Sequence, residues 1–212
     1  MNNGDRYRRF LLPRTRGAFS LVIESKPYKS KDKKETKDMI KDEKFEEAYN
    51  KLKEPEGKYT DGTNQVSDEP TNMGIKQSTL NYYARKHPEK DLPKDVIDLE
   101  RPQVKEIYKD MYWDKTKIPQ IENDRVRNAV FDMNVMGGAG KVVQRALNDF
   151  SDASLAVDGA IGLKTIDALN SIPANKVSDF METLKAERFE YLKKTPNWPT
   201  AKIGWTKRTN KY

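Results

Sequence analysis

The chain has no cysteine and only one histidine, His87, among its 212 residues. The first absence excludes a disulfide framework and a cysteine-ligated zinc site. The second leaves no base for a Ser-His or Cys-His nucleophile, because His87 sits against Pro88 in a Lys- and Glu-rich stretch that reads as surface. No apolar run reaches the length of a membrane-spanning helix. An export signal is not expected either: the basic Arg6 to Arg9 segment leads into Phe10-Leu11-Leu12, but Pro13, Arg14 and Arg16 interrupt any apolar continuation. Chemistry on this chain therefore rests on carboxylates, hydroxyls or amides, with neither a metal nor an organic cofactor expected.

Apolar residues are scarce at 35%, and charged residues are plentiful at 34%, which points to helices with heavily solvated outer faces. The charge is unevenly spread. Residues 1–40 hold 11 Lys and Arg against 5 Asp and Glu, so of the formal net charge of +7 an excess of +6 falls in this arm. Residues 41–124 carry 15 basic and 19 acidic side chains, and residues 125–212 carry 14 and 9. The arm reads either as a peripheral extension packed on its neighbours or as a docking element for an anionic partner. It has few aromatics and no recognition motif, which argues against nucleic acid. Within it Phe19 to Ile23 is a candidate short strand, and residues 26–41 read as a solvated linker or loose helix.

The stretch around which the rest is organised begins where a helix ends. Phe45, Ala48, Tyr49 and Leu52 recur at helical spacing, so residues 43–53 should bury one face. Glu56 follows, flanked by Pro55 and Gly57, residues that stop a helix and turn the chain. A carboxyl so placed would stand at the mouth of a cleft, and Glu56 is the candidate acid. The only β structure expected is a small hairpin around 57–70. Helices are expected over Gln77 to Arg85, closed by His87-Pro88, and over Gln103 to Trp113, opened by Pro102, with Val104, Ile107, Tyr108, Met111 and Tyr112 as the inward stripe. That stripe reads as core in preference to a sugar platform.

Three further helices are expected at about 124–136, 139–149 and 163–171, the first two separated by Gly137-Gly138. A longer one follows, capped by Asn175, with Val177, Phe180, Met181, Leu184, Arg188, Tyr191 and Leu192 on one face. A Pro/Trp-rich tail, Pro196 to Trp205, closes the chain and reads as a plug for the end of a helical bundle, although its tryptophans could stack on sugars. The architecture expected is mainly α: one helical, two-lobed body, with residues 1–41 as a basic extension, 42–123 as one lobe and 124–212 as the second.

Glu56-Gly57-x-Tyr59, followed by Thr71-Asn72-x-Gly74-Ile75 and the Thr79-Leu80 pair, resembles the muramidase family 108 of the glycoside hydrolases. Ile107-Tyr108 and Tyr112-Trp113 continue the resemblance in order. So do Phe131-Asp132 with Asn134 and Gly137, Gln144 with Ala146-Leu147, Asp158-Gly159-x-Ile161-Gly162 with Thr165, and Gly204-Trp205 with Arg208, which resemble the family's peptidoglycan-binding part. The likeness spans roughly residues 43–209. Two departures stand out: Lys58 replaces the second glycine of the family's Glu-Gly-Gly, and Asp68-Glu69-Pro70 stands where the family has Gly-Gly.

The resemblance implies a lysozyme-like fold and hydrolysis of the β-1,4 bond between N-acetylmuramic acid and N-acetylglucosamine in peptidoglycan. Glu56 would deliver the proton, and Asp68 or Asp61 would be the second carboxylate. Thr71, or alternatively Thr79, would hold a water or the substrate, and Tyr59, Asn72 and Gln77 would touch sugars. A lytic transglycosylase, which needs one Glu and no activated water, is an alternative. A wall-binding or structural virion component that keeps the fold without the activity is another. With no export signal, such a protein would reach the wall through a separate pore-forming protein or as cargo of a phage particle, with residues 1–41 facing other virion proteins.

Overall fold

In this computed structural model the described residues are 30–53, 59–62 and 69–212, with the side chains of 41–52, 59–62 and 69–212. Among them are eight α-helices and one two-stranded antiparallel hairpin, a mainly α, lysozyme-like fold. The first helix, α1 (Ser30–Lys53), begins well before the expected residue 43 and takes in most of the segment read as linker or loose helix. Its stripe is as expected, with Phe45, Ala48 and Leu52 buried and Tyr49 half-buried.

After the hairpin, β1 (Thr71–Asn72) and β2 (Ile75–Lys76), come α2 (Gln77–Lys86) and α3 (Arg101–Tyr108). Pro102 occupies the first turn of α3, where a missing N–H costs nothing. The expected helix to Trp113 continues from α3, but with a change of pitch: Lys109–Asp114 is π-helical. A π-turn winds in one extra residue, so the inward face passes from Tyr108 to Trp113, five residues on and both buried. Met111 and Tyr112, expected inside by α-helical counting, are only half-buried. Ion pairs stitch α1 to this segment, Lys41 to Asp114 at 2.5 Å and Lys109 to Asp42 at 3.1 Å. Exposed pairs of this kind each add little stability.

Helix α4 (Asp124–Met136) is the axis of the molecule. Every residue from Val126 to Met133 is buried, as befits a helix covered on all sides by α1, α5 and the segment from 109 to 120. Asn123 caps it by accepting from the Val126 N–H at 3.1 Å. Arg127 lies fully buried beneath the first turn, donating to the Ile121 carbonyl at 3.1 Å and paired with Asp124 at 2.6 Å.

Gly137 and Gly138, both at positive φ, end α4 and start α5 (Ala139–Phe150). At Gly138 the conformation and the space both require glycine: a Cβ there would sit 2.2 Å from the Tyr191 ring. Next come α6 (Leu163–Asn170), α7 (Val177–Lys193) and α8 (Trp198–Thr209). Phe180, Met181, Leu184, Arg188 and Leu192 are buried along α7 as expected. Asn175 is not its cap, however: a 3-10 turn, Ala174–Lys176, feeds the helix, and Lys176 holds the capping position without a side-chain bond. The tail read as irregular is α8, whose Pro199 falls in the tolerant first turn. One core runs from Phe45 on α1 to Leu184 on α7 and joins the two expected lobes.

Candidate active site

The hairpin turns through Met73 and Gly74, at φ 48° and 79°. Positive φ at both central positions is the geometry of the tight hairpin turn that matches strand twist. Thr60 adds a single bridge to β1, with Thr60 N donating to Thr71 O at 2.8 Å and Thr71 N donating to Thr60 O at 2.9 Å. The β structure thus lies at 60 and 71–76, not within 57–70. Gly62, at φ 86°, lets the two arms of the loop touch, since a Cβ there would lie 2.6 Å from the Glu69 carbonyl carbon.

The candidate acid Glu56 and one candidate second carboxylate, Asp68, lie outside the described residues. The remaining sequence candidates sit along the base of the loop. Tyr59 is 41% exposed and Asp61 is exposed beside it, while Thr71 is half-buried on β1 with its hydroxyl donating to Glu69 O at 3.2 Å. Thr79 is half-buried in the first turn of α2.

Asn72 and Gln77, the two amides expected to meet sugar, grip the protein itself. The buried Asn72 amide donates to Val96 O at 3.0 Å and Ile97 O at 3.1 Å. Gln77 donates to Lys94 O at 2.8 Å and Asn81 Oδ1 at 2.9 Å, and accepts from Val96 N at 2.7 Å. Between them they fasten the 94–97 segment across the back of the hairpin.

Sequence inspection missed Glu69. It caps α2, accepting from Ser78 N at 2.8 Å and Ser78 Oγ at 2.9 Å, with Lys76 at 3.3 Å. Burial works to raise its pKa, but these donors outweigh it and hold the carboxyl below its ordinary value. A glutamate nine residues ahead of its partner has no local spacing rule that would reveal it. The departure at 68–70 therefore brings a helix cap along with the lost glycines.

A second polar group stands behind the hairpin, between α2 and the π-turn. The buried Tyr83 donates its hydroxyl to Asp110 at 2.6 Å, Lys90 reaches Asp110 at 3.3 Å and Glu106 more closely, and the Lys90 ammonium lies 5.6 Å from the Tyr83 ring centre. Burial and then the Asp110 bond push the Tyr83 phenol up to about 12. Desolvation opposes the Asp110 charge, yet donation from Tyr83 and Lys90 lowers its pKa on balance. Tyr108 reaches from α3 to the hairpin tip, donating to Met73 O at 3.3 Å. Among the described residues no three His, Asp or Glu side chains gather as a metal site requires.

Residues 49–138 match the Glycosyl hydrolase 108 family. The solved structure titled "Structure of Brucella abortus SagA" superposes with a TM-score of 0.63 at 26% identity, covering 80% of this chain and 91% of that one. It is one of nine chains of known structure that match. No curated protein matches by sequence.

Proposed function

Because residues 49–138 belong to glycosyl hydrolase family 108, we propose that this glycoside hydrolase is an N-acetylmuramidase that cuts the β-1,4 bond between N-acetylmuramic acid and N-acetylglucosamine in peptidoglycan. The observation that carries the reading is that Glu56, Asp61, Asp68 and Thr71 all fall inside the matched segment.

Glycoside cleavage requires a proton on the leaving oxygen while positive charge grows on the sugar ring. Glu56 supplies the proton. Asp68 or Asp61 stabilises the ring cation or activates water, and Thr71 orients that water or the sugar through its hydroxyl. Such an acid works near neutral pH only when burial or a neighbouring charge keeps it protonated. Tyr59, exposed at the base of the loop, is the sugar contact this reading favours. Asn72 and Gln77 serve it indirectly, as clamps on the hairpin that carries Thr71.

The glycan strand is the partner, and the expected route to it is incorporation in a phage particle, with residues 1–41 as the docking element. The rebuilt 68–70 segment favours a second reading, a wall-binding virion component without activity. Purified sacculi incubated with wild type and with Glu56→Gln separate these readings. Reducing muramic ends from wild type alone establish the hydrolase, and 1,6-anhydro ends make it a transglycosylase. Binding without release of either end refutes catalysis and leaves the structural component.

A further inference from the structure

At the C-terminal end of α1, where the chain leaves for Glu56, a cavity of about 120 Å³ opens between α1, α4 and the chain end. Its walls carry four cations, Lys51, Arg125, Arg208 and Lys211, against one acid, Asp132. Asp132 is spent internally: Arg208 Nε and Nη2 both reach it at 2.8 Å and the Tyr212 hydroxyl donates to it at 2.5 Å. The cavity therefore presents surplus positive charge, in the half of the chain where basic residues outnumber acidic ones.

Arg125 is aimed by two bonds, to Tyr212 O at 3.1 Å and to Ser178 Oγ at 3.4 Å. Lys51 is paired only in an exposed one-turn bridge to Glu47, a weak tie that lets its ammonium turn to a ligand. Asn128 adds an acceptor. Its amide N–H donates to Glu47 at 3.0 Å, which fixes its orientation, and its buried Oδ1 has no hydrogen-bond partner. A buried acceptor left empty beside cations asks for a ligand with an N–H close to an anion. Leu52 and Ala129 supply an apolar wall of methyl size.

We propose that this cavity is a subsite for a peptide ending in a small D-amino acid with a free carboxylate, the stem peptide borne by the glycan. The carboxylate meets Lys51 and Arg125, the amide N–H meets Asn128 Oδ1, and the alanyl methyl rests on Leu52 and Ala129. The choice of a stem peptide over a free anion rests on the peptidoglycan reading above.

The test titrates the full chain with acetyl-D-Ala-D-Ala, its C-terminal amide and inorganic phosphate, following heat or amide chemical shifts. The free acid should bind about tenfold more tightly than the amide, the scale of one charge-assisted hydrogen bond. Arg125→Ala and Lys51→Ala, both at exposed positions, should lose that preference, and Arg125→Lys should regain part of it. Equal binding of acid and amide, or binding unchanged in both variants, overturns the subsite. Phosphate binding as tightly as the peptide overturns the stem assignment. Sugar release from intact strands and from strands stripped of stems is read in parallel, with Arg125→Ala expected to raise KM on intact strands only. Acid-over-amide preference without sugar release from either strand refutes the hydrolase and leaves the subsite standing, and the reverse result does the opposite.

Discussion

Replacing Asn72 tests whether its amide is a clamp or a sugar contact. Its two donated bonds, at 3.0 and 3.1 Å, run to the carbonyls of Val96 and Ile97 from a side chain only 8% exposed. Each such bond contributes about 1 kcal/mol net, so Asn72→Ala should cost about 2 kcal/mol, or about 4–8 °C in Tm for a chain of this size. Asn72→Asp is nearly isosteric but turns an oxygen toward two carbonyl oxygens. That arrangement favours the protonated carboxyl and raises its folded pKa above the unfolded one. The variant should then be closest to wild type in acid and lose stability as pH rises through the raised pKa. Thermal unfolding followed by circular dichroism at pH 4 and pH 8 reads both effects. Sugar release measured well below the transition should change little in kcat for Asn72→Ala. An unchanged Tm with activity abolished would refute the clamp and make Asn72 a substrate contact.

Gly140→Ala should be among the most damaging single changes. The new Cβ would fall 1.8 Å from Gly159 O, an overlap that only separation of α5 from the 158–162 loop can relieve, costing about 3 kcal/mol or more in denaturant titrations. Glu69→Gln should weaken the chain at neutral pH by removing a charge-assisted cap of α2. Because the Glu69 pKa is lowered on folding, its contribution is present above the ordinary carboxyl value and lost as pH falls, so wild type and variant should converge in acid. Tyr83, with its phenol raised to about 12, contributes stability that is full below its unfolded pKa near 10 and declines above it. Tyr83→Phe should flatten that alkaline loss, and an equally steep decline in the variant would contradict the Tyr83–Asp110 assignment.

Much of the helical frame was legible because its signals are local. The break at Gly137-Gly138 and the run from Asp124 to Met136 follow from glycine and hydrophobic spacing, and both stand where expected. The hairpin was misplaced because Met73 adopts a left-handed conformation that turn vocabulary assigns to Gly, Asn or Asp. Asn175 looked like a cap by residue type, but the 3-10 turn shifted the start of α7 past it. Asn72 and Gln77 show why site residues are harder than elements. An amide that binds sugar and one that fastens a loop are the same residue in sequence, and only the carbonyls at 94, 96 and 97, brought in from some twenty residues away, tell which use is made of it.

The π-turn at Lys109–Asp114 marks a point where this chain can change length without changing phase. Remove one residue between Tyr108 and Trp113 and the two fall four apart, on the same side of an ordinary α-helix, so everything downstream keeps its orientation toward α4. What the deletion would forfeit is the outward swell that brings Asp110 to Tyr83 and Lys90. The extra residue is thus a removable unit: it adds the polar cluster behind the hairpin to a helix whose core register survives without it.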